Sequence, residues 1–284
     1  MRDVDILGSY WTLAGGALPH TDREYSPFDF KDRVESAAQT GFTGIGLWHA
    51  DLEHILKTRS LKDMKTIFDD SGIKHVELEF LTDWFMEPGE RRQKSDEQRR
   101  LLLTAAEALD ARHVKVGDFF NTPCPMGRLA ESFAGLCKDA ADHGTKILFE
   151  VMPFSNVHTI EDSLHMFRES GADNGGFILD LWHLIYMGVP YQEIAKIPCQ
   201  YLLGVELNDG PLERPADLHQ ETINNRKLCG RGEFDISGFI RAVESTGYDG
   251  PYGIEVLSEE LRAMPMKELI TTTYDTTIAQ FKKL

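Results

Sequence analysis

Four acidic residues in the second half of the chain stand near the ends of β-rich runs. They are Glu150 in "ILFEVMP", Asp180 in "FILDLWH", Glu206 in "GVELNDG" and Glu255 in "YGIEVLS". Each is flanked by apolar residues, and an unpaired carboxylate is costly to bury. One such residue alone usually pairs with an Arg or Lys. Four in register, with few Lys or Arg near them in sequence, would repel one another strongly, and a divalent cation removes that difficulty. An oxygen-only donor set favours a hard ion, Mg²⁺ or Mn²⁺, over Zn²⁺. His183, three residues after Asp180, could be a nitrogen ligand that tilts the choice toward Mn²⁺ or a softer ion, a core histidine, or a partner that holds Asp180 in place; the last is the preferred reading.

Other residues could shape a pocket around such an ion. Glu79 in "VELEFL" and His49 in "LWHADL" end β-rich runs, so both are candidates to contact substrate. Trp11, Trp48, Trp84 and Trp182 lie at or just beyond such ends. They would wall a pocket for the apolar face of a sugar ring or glycoside, or serve as packing. Arg226 precedes "CGRG" and is either a charge partner for the acidic residues or a binder of substrate oxygens. His219 is either part of a loop closing over substrate or an ordinary exposed histidine.

The elements that must position these groups are legible as periodic runs. Strand candidates are "VDILGSYW", "GFTGIGLWH", "IKHVELEFL", "RHVKVGDFF", "TKILFEVMP", "GGFILDLWH", "YLLGVELND" and "PYGIEVLS". Most are continuously apolar, as strands covered on both faces are. Between them lie helical patterns with start signals: Ser95 with Gln98 as a capping box, Thr159, and Asp235 with Gly247 closing that helix. Gly41, Gly72 and Gly144 mark helix ends. Eight strands alternating with helices predict a single (β/α)8 TIM barrel over residues 1–284, with chemistry at the C-terminal ends of its strands. A doubly wound sheet is disfavoured because neither G-x-G-x-x-G nor a P-loop pattern follows the first strand. The segment from Gly210 to about Glu233 predicts a long functional loop.

Composition narrows the function classes. The 284 residues are 42% hydrophobic and 27% charged, with a formal net charge of −16. Such acidity opposes binding to phosphate backbones, so no nucleic-acid partner is expected. No apolar run is long enough to span a membrane, and the N-terminus lacks a secretory pattern, so a cytoplasmic address is the expectation. Cys124, Cys137, Cys199 and Cys229 are scattered, which argues against a structural zinc or a disulfide framework.

The run "FEVMP…ILDLWH…GVELNDG…NNRKLCGRGEFD…GYDGPYGIEVLS" resembles the sugar isomerase/epimerase-like superfamily related to xylose isomerase. That group includes ketose 3-epimerases, hydroxypyruvate isomerase, inosose dehydratase, dehydroshikimate dehydratase and abasic-site endonucleases. In its epimerase branch a Glu, an Asp, a His and a Glu on the last four strands hold one divalent ion. Those positions match Glu150, Asp180, Glu206 and Glu255, with Glu206 standing where most branches have His. The resemblance also implies that Glu150 and Glu255 are the acid/base pair and that Arg226 contacts substrate. It implies a metal-dependent isomerase or epimerase of a small sugar or polyol, acting by proton removal beside a carbonyl through a metal-stabilised enediolate. The alternative on the same site is a lyase, either a dehydratase of a cyclic keto-polyol or an eliminase of a keto-glycoside. A non-phosphorylated substrate is expected, since the loop "SEELRAMP" is acidic and lacks a Gly-rich turn. An abasic-site endonuclease is disfavoured, because His75 and His113 lie at strand beginnings and the net charge opposes DNA. Barrels of this group often pair through strand-end loops, so a homo-oligomer is an expectation.

Overall fold

The computed structural model describes residues 4–284. Eight parallel strands close into a barrel: β1 (Ile6–Gly8), β2 (Gly44–Trp48), β3 (His75–Leu81), β4 (His113–Val116), β5 (Lys146–Glu150), β6 (Gly175–Asp180), β7 (Leu202–Leu207) and β8 (Tyr252–Ile254). Each lies within one of the runs expected from the sequence, and β8 pairs back onto β1 to complete the ring. Among the described residues no helix is long and apolar enough to cross a membrane.

Strand alternation sends successive side chains to opposite faces. Phe149, Leu179, Val205, Leu207 and Ile254 accordingly join the hydrophobic layer between strands and helices. Phe149, for example, packs edge-to-face on Trp84 and Phe167. The intervening residues Glu150, Asp180, Glu206 and Glu255 then turn inward at the strand C-termini. Register reinforces this placement, since Asp180 pairs with Glu206 across β6 and β7.

Helix boundaries follow their local signals in most places. Thr159 accepts a hydrogen bond from the Asp162 N–H at 3.0 Å, and Asp235 one from the Gly238 N–H at 2.8 Å. Gly41, Gly72 and Gly144 close helices with φ of 124°, 74° and 69°, and Gly247 does so with φ of 89°. The expected start at Ser95 is a correction: that helix runs Glu90–Leu109, and Ser95 sits inside it. The preceding "ERRQK" contains good helix formers, so the helix extends a turn further back. The Ser95 hydroxyl instead donates to the Thr82 carbonyl at 2.6 Å, and Gln98 Nε2 to the Phe80 carbonyl at 2.9 Å, tying the helix to the end of β3. The expected loop over 210–233 contains a helix, Leu218–Asn224, whose first amides bond to Asp217.

One buried ion pair anchors the segment that runs over the mouth after β1. Arg33 and Asp51 bridge the helices Phe30–Thr40 and His49–Ile55, with both side chains almost fully enclosed. The second Asp51 oxygen accepts the Ser26 N–H at 2.9 Å, and the Arg33 guanidinium lies 5.5 Å from the Tyr10 ring centre. Replacing Asp51 by Ala would strand a buried guanidinium. It should lower the unfolding free energy by about 3–5 kcal/mol, whereas the double replacement Arg33→Met/Asp51→Leu should recover most of the loss. Denaturant unfolding of the three proteins checks this.

A candidate metal centre in an aromatic cavity

The four expected carboxylates converge. Glu150, Asp180, Glu206 and Glu255 each offer one oxygen, and these oxygens all lie within 4.8 Å of one another in a buried setting. A second grouping, Glu150, Asp180 and His183, meets the same criterion. Asp180 is also the N-cap of the helix Leu181–Met187, its Oδ1 accepting the His183 N–H at 3.1 Å. That cap explains the D-x-x-H spacing, because an N-cap carboxylate reaches the amide three residues on. It also seats His183 Nε2 at 3.2 Å from Glu150 Oε1.

The carboxylates are not bare, which corrects the expectation that few cations stand near them. Lys115 on β4 projects to their centre with no exposed side-chain surface. Its ammonium donates to Glu206 Oε1 and Oε2 at 2.9 and 3.1 Å and to Glu255 Oε1 at 2.9 Å. Glu79 Oε2 and Glu150 Oε2 lie farther off, at 3.5 and 3.8 Å. Arg226 Nη1 bonds Asp180 Oδ2 at 2.8 Å and Glu255 Oε2 at 3.0 Å, and its guanidinium stands over Trp182 at 5.3 Å. Ser9 Oγ donates to Glu206 at 2.7 Å and Asn208 Nδ2 to Asp180 at 2.9 Å. Lys115 had a sequence signal. "HVELEFL" and "HVKV" both place charged or polar residues at alternate positions, so Glu77, Glu79, His113 and Lys115 share the inward face. His113 Nε2 accordingly meets Glu77 Oε2 at 2.6 Å.

The buried surroundings act unequally on the acids. Burial opposes ionisation of Glu150, but the Lys115 ammonium, then His183 and Arg226, hold its carboxyl down at about 2. Burial and the adjacent Glu255 push Glu206 well above the carboxylate range despite Lys115. Burial likewise raises Glu255. Ionised together, the four carboxylates would exceed one ammonium and one guanidinium by two negative charges, which one divalent ion would cancel. The donor set therefore fits such an ion.

The site opens into a cavity lined by Glu79, Glu150, Glu255, His183 and Arg226 on its polar side. Trp11, Trp48, Phe80, Phe119 and Phe154 form its aromatic wall. His219 belongs to the lining, stacked on His20 with ring centres 5.4 Å apart and 5.5 Å from Phe154. Arg226 is both charge partner and wall. Two expected substrate contacts are corrected. Trp182 is fully buried and packs on Tyr186 and beneath Arg226, because its helix turns it away from the opening. His49 lies behind the wall, its ring 4.7 Å from that of Trp48. Trp84 is a core residue packed on Phe85 and Phe133.

The His49 environment has a measurable consequence. Burial pushes its imidazole down to about 4, against about 6.5 in an unfolded chain. Between those values the unfolded chain binds the extra proton, so stability is lost as pH falls through that window. His49→Gln should remove about 2 kcal/mol of the stability lost between pH 7 and pH 4.5. Urea unfolding of both proteins at the two pH values checks it.

A closed parallel barrel with ionisable groups gathered at the C-terminal ends of its strands defines an enzyme-type scaffold. The family model of the xylose isomerase-like TIM barrel matches residues 34–275, and the chain belongs to that family. It is 26% identical over 242 residues to a 3-dehydroshikimate dehydratase of Pseudomonas aeruginosa, covering 83% of this chain and 37% of that protein. The chain thus spans little more than a third of that relative's length. It is 24% identical over 150 residues to an inosose isomerase of Halalkalibacterium halodurans, covering 52% of each. Two solved structures share the fold. The IOLI protein with a zinc atom has a TM-score of 0.82 at 19% identity, over 98% of both chains. The D-allulose 3-epimerase of Methylomonas sp. in complex with D-allulose has a TM-score of 0.73 at 16% identity, again over 98% of both.

Proposed function

We propose that this protein is a divalent-metal-dependent isomerase or epimerase of a small, non-phosphorylated sugar or polyol, acting by proton transfer beside a carbonyl. The observation that carries the reading is the gathering of four buried carboxylates, against two cations, at the floor of a cavity. Glu150, Asp180, Glu206 and Glu255 would hold the ion, Mn²⁺ or Mg²⁺ by their oxygen donors. When bound, the ion supplies a Lewis acid that polarises a substrate carbonyl. The chain's own groups do the rest. Glu150 or Glu255 takes the proton from the carbon beside the carbonyl, both carboxylates lining the cavity. Arg226, fixed by Asp180 and Glu255, presents its guanidinium to substrate oxygens. Trp11, Trp48 and Phe80 cover the apolar face of the substrate and exclude water.

Among the described lining residues Arg226 is the only Lys or Arg, and it is already paired with carboxylates, which supports a substrate without phosphate. A second reading on the same site is a lyase. It is favoured by the match to the 3-dehydroshikimate dehydratase, which covers more of this chain than the match to the isomerase does.

Elemental analysis of the purified protein should find about one equivalent of a divalent ion. Chelation should lower the melting temperature, and re-addition should restore it. Glu206→Gln should weaken metal affinity at least about tenfold while the fold persists. Unchanged affinity and activity in that variant would sink the four-carboxylate site. Incubation in heavy water with 3-dehydroshikimate, an inosose and D-allulose should put deuterium beside the carbonyl of at least one.

A further inference from the structure

Glu79 lines the same cavity from β3, outside the group of four carboxylates. Its Oε1 accepts the Tyr10 N–H at 2.9 Å, which fixes the carboxyl in place. Its Oε2 lies 3.5 Å from Lys115, whose short bonds go to Glu206 and Glu255. Glu79 therefore has no short bond to a cation of its own. The barrel makes room for this arrangement at Gly46 on β2. A Cβ there would fall 2.7 Å from both Glu79 Oε1 and the Tyr10 nitrogen, closer than real contacts permit. A carboxyl group so enclosed, sharing at 3.5 Å an ammonium that Glu206 and Glu255 hold at 2.9 Å, is favoured in its protonated form.

We propose that Glu79 is a catalytic residue of the reaction read above: the acid that delivers the second proton to the substrate. The inference rests on that reading. In the first step the C–H bond beside the carbonyl breaks. Its electron pair moves into the carbonyl system, and its proton goes to Glu150 or Glu255. In the second step Glu79 gives up its carboxyl proton. In an isomerase or epimerase that proton goes to carbon, and the electron pair of the enol forms the new C–H bond. In a lyase it goes to the departing hydroxyl, and the C–O electron pair leaves with water. Glu79 ends as a carboxylate and the first base as an acid, and both reset by exchange with water. Burial raises the Glu79 carboxyl, Lys115 offsets part of that rise, and Glu77 and Glu255 add to it, leaving it at about 8. A carboxyl whose ionisation burial opposes and Lys115 favours can both hold a proton and release it.

The experiment separates the two steps. With whichever of 3-dehydroshikimate, an inosose or D-allulose the wild-type protein labels in heavy water, Glu79→Gln should retain deuterium exchange within about threefold. Net product formation should fall about a hundredfold or more. Glu79→Asp should recover part of the turnover. Loss of exchange together with turnover would overturn the proposal, because Glu79 would then serve the first step or the architecture. Turnover unchanged in Glu79→Gln would overturn it as well. Should Glu79→Gln fail to fold, Glu79→Asp, which keeps a carboxyl but draws it back from the cavity, must show turnover reduced more than exchange. Absence of exchange by the wild-type protein with all three compounds would overturn the proposed function itself, and this inference with it.

Discussion

Lys115 is the constraint around which the site is built. An ammonium with no exposed surface is tenable only where carboxylates surround it. Burial opposes its charge, and Glu150, Glu206 and Glu255 hold it well above the ordinary lysine range. Its hydrogen bonds join β4 to β7 and to the residue just past β8, across the inside of the ring. The middle of this barrel is therefore polar where such interiors are usually packed with branched apolar side chains. The Glu77–His113 pair beneath it continues the same polar column.

That column links the fold to its chemistry. Glu206 brings a carboxylate to the fully buried centre of the site. Lys115 and Ser9 are the groups that meet it. Arg226 plays the corresponding part for Asp180 and Glu255, and Thr222 holds Arg226 from one turn back with bonds of 3.0 and 2.7 Å. The segment after β7 thus supplies a cation as well as cover. The segment after β1 closes the other side. Glu24 accepts the Trp48 Nε1–H at 3.1 Å, and its backbone carbonyl accepts the Tyr10 hydroxyl at 2.8 Å. Both loops owe their shape to polar anchors, so the aromatic wall is held in place before any ligand arrives.

Much of this was legible in the residues. Eight apolar runs, the glycines closing helices and the acid at the end of each late strand led directly to the barrel and to Glu150, Asp180, Glu206 and Glu255. Misreadings arose where a local signal competed with a stronger neighbour. The Ser95–Gln98 pattern looked like a cap, but helix formers upstream carried the helix past it. Trp182 and Trp84 follow strand ends as Trp11 and Trp48 do, yet the turn after each strand decides which rings face the cavity and which enter the core. Lys115, the penultimate residue of β4, carries a weaker signal, since only its alternation with His113 marks it as inward-facing.

By itself, the sequence determined the alternation of strands and helices, most of the helix ends and the identity of the acidic residues. These follow from periodicities and short-range hydrogen bonds that reach only a few residues. The tertiary structure alone decided which charges meet. Lys115 lies 91 residues from Glu206 and 140 from Glu255, and only closure of the ring brings them within hydrogen-bond distance. Whether four carboxylates are bare, paired or partly protonated depends on that closure, because charge interactions act through space and burial rather than along the chain.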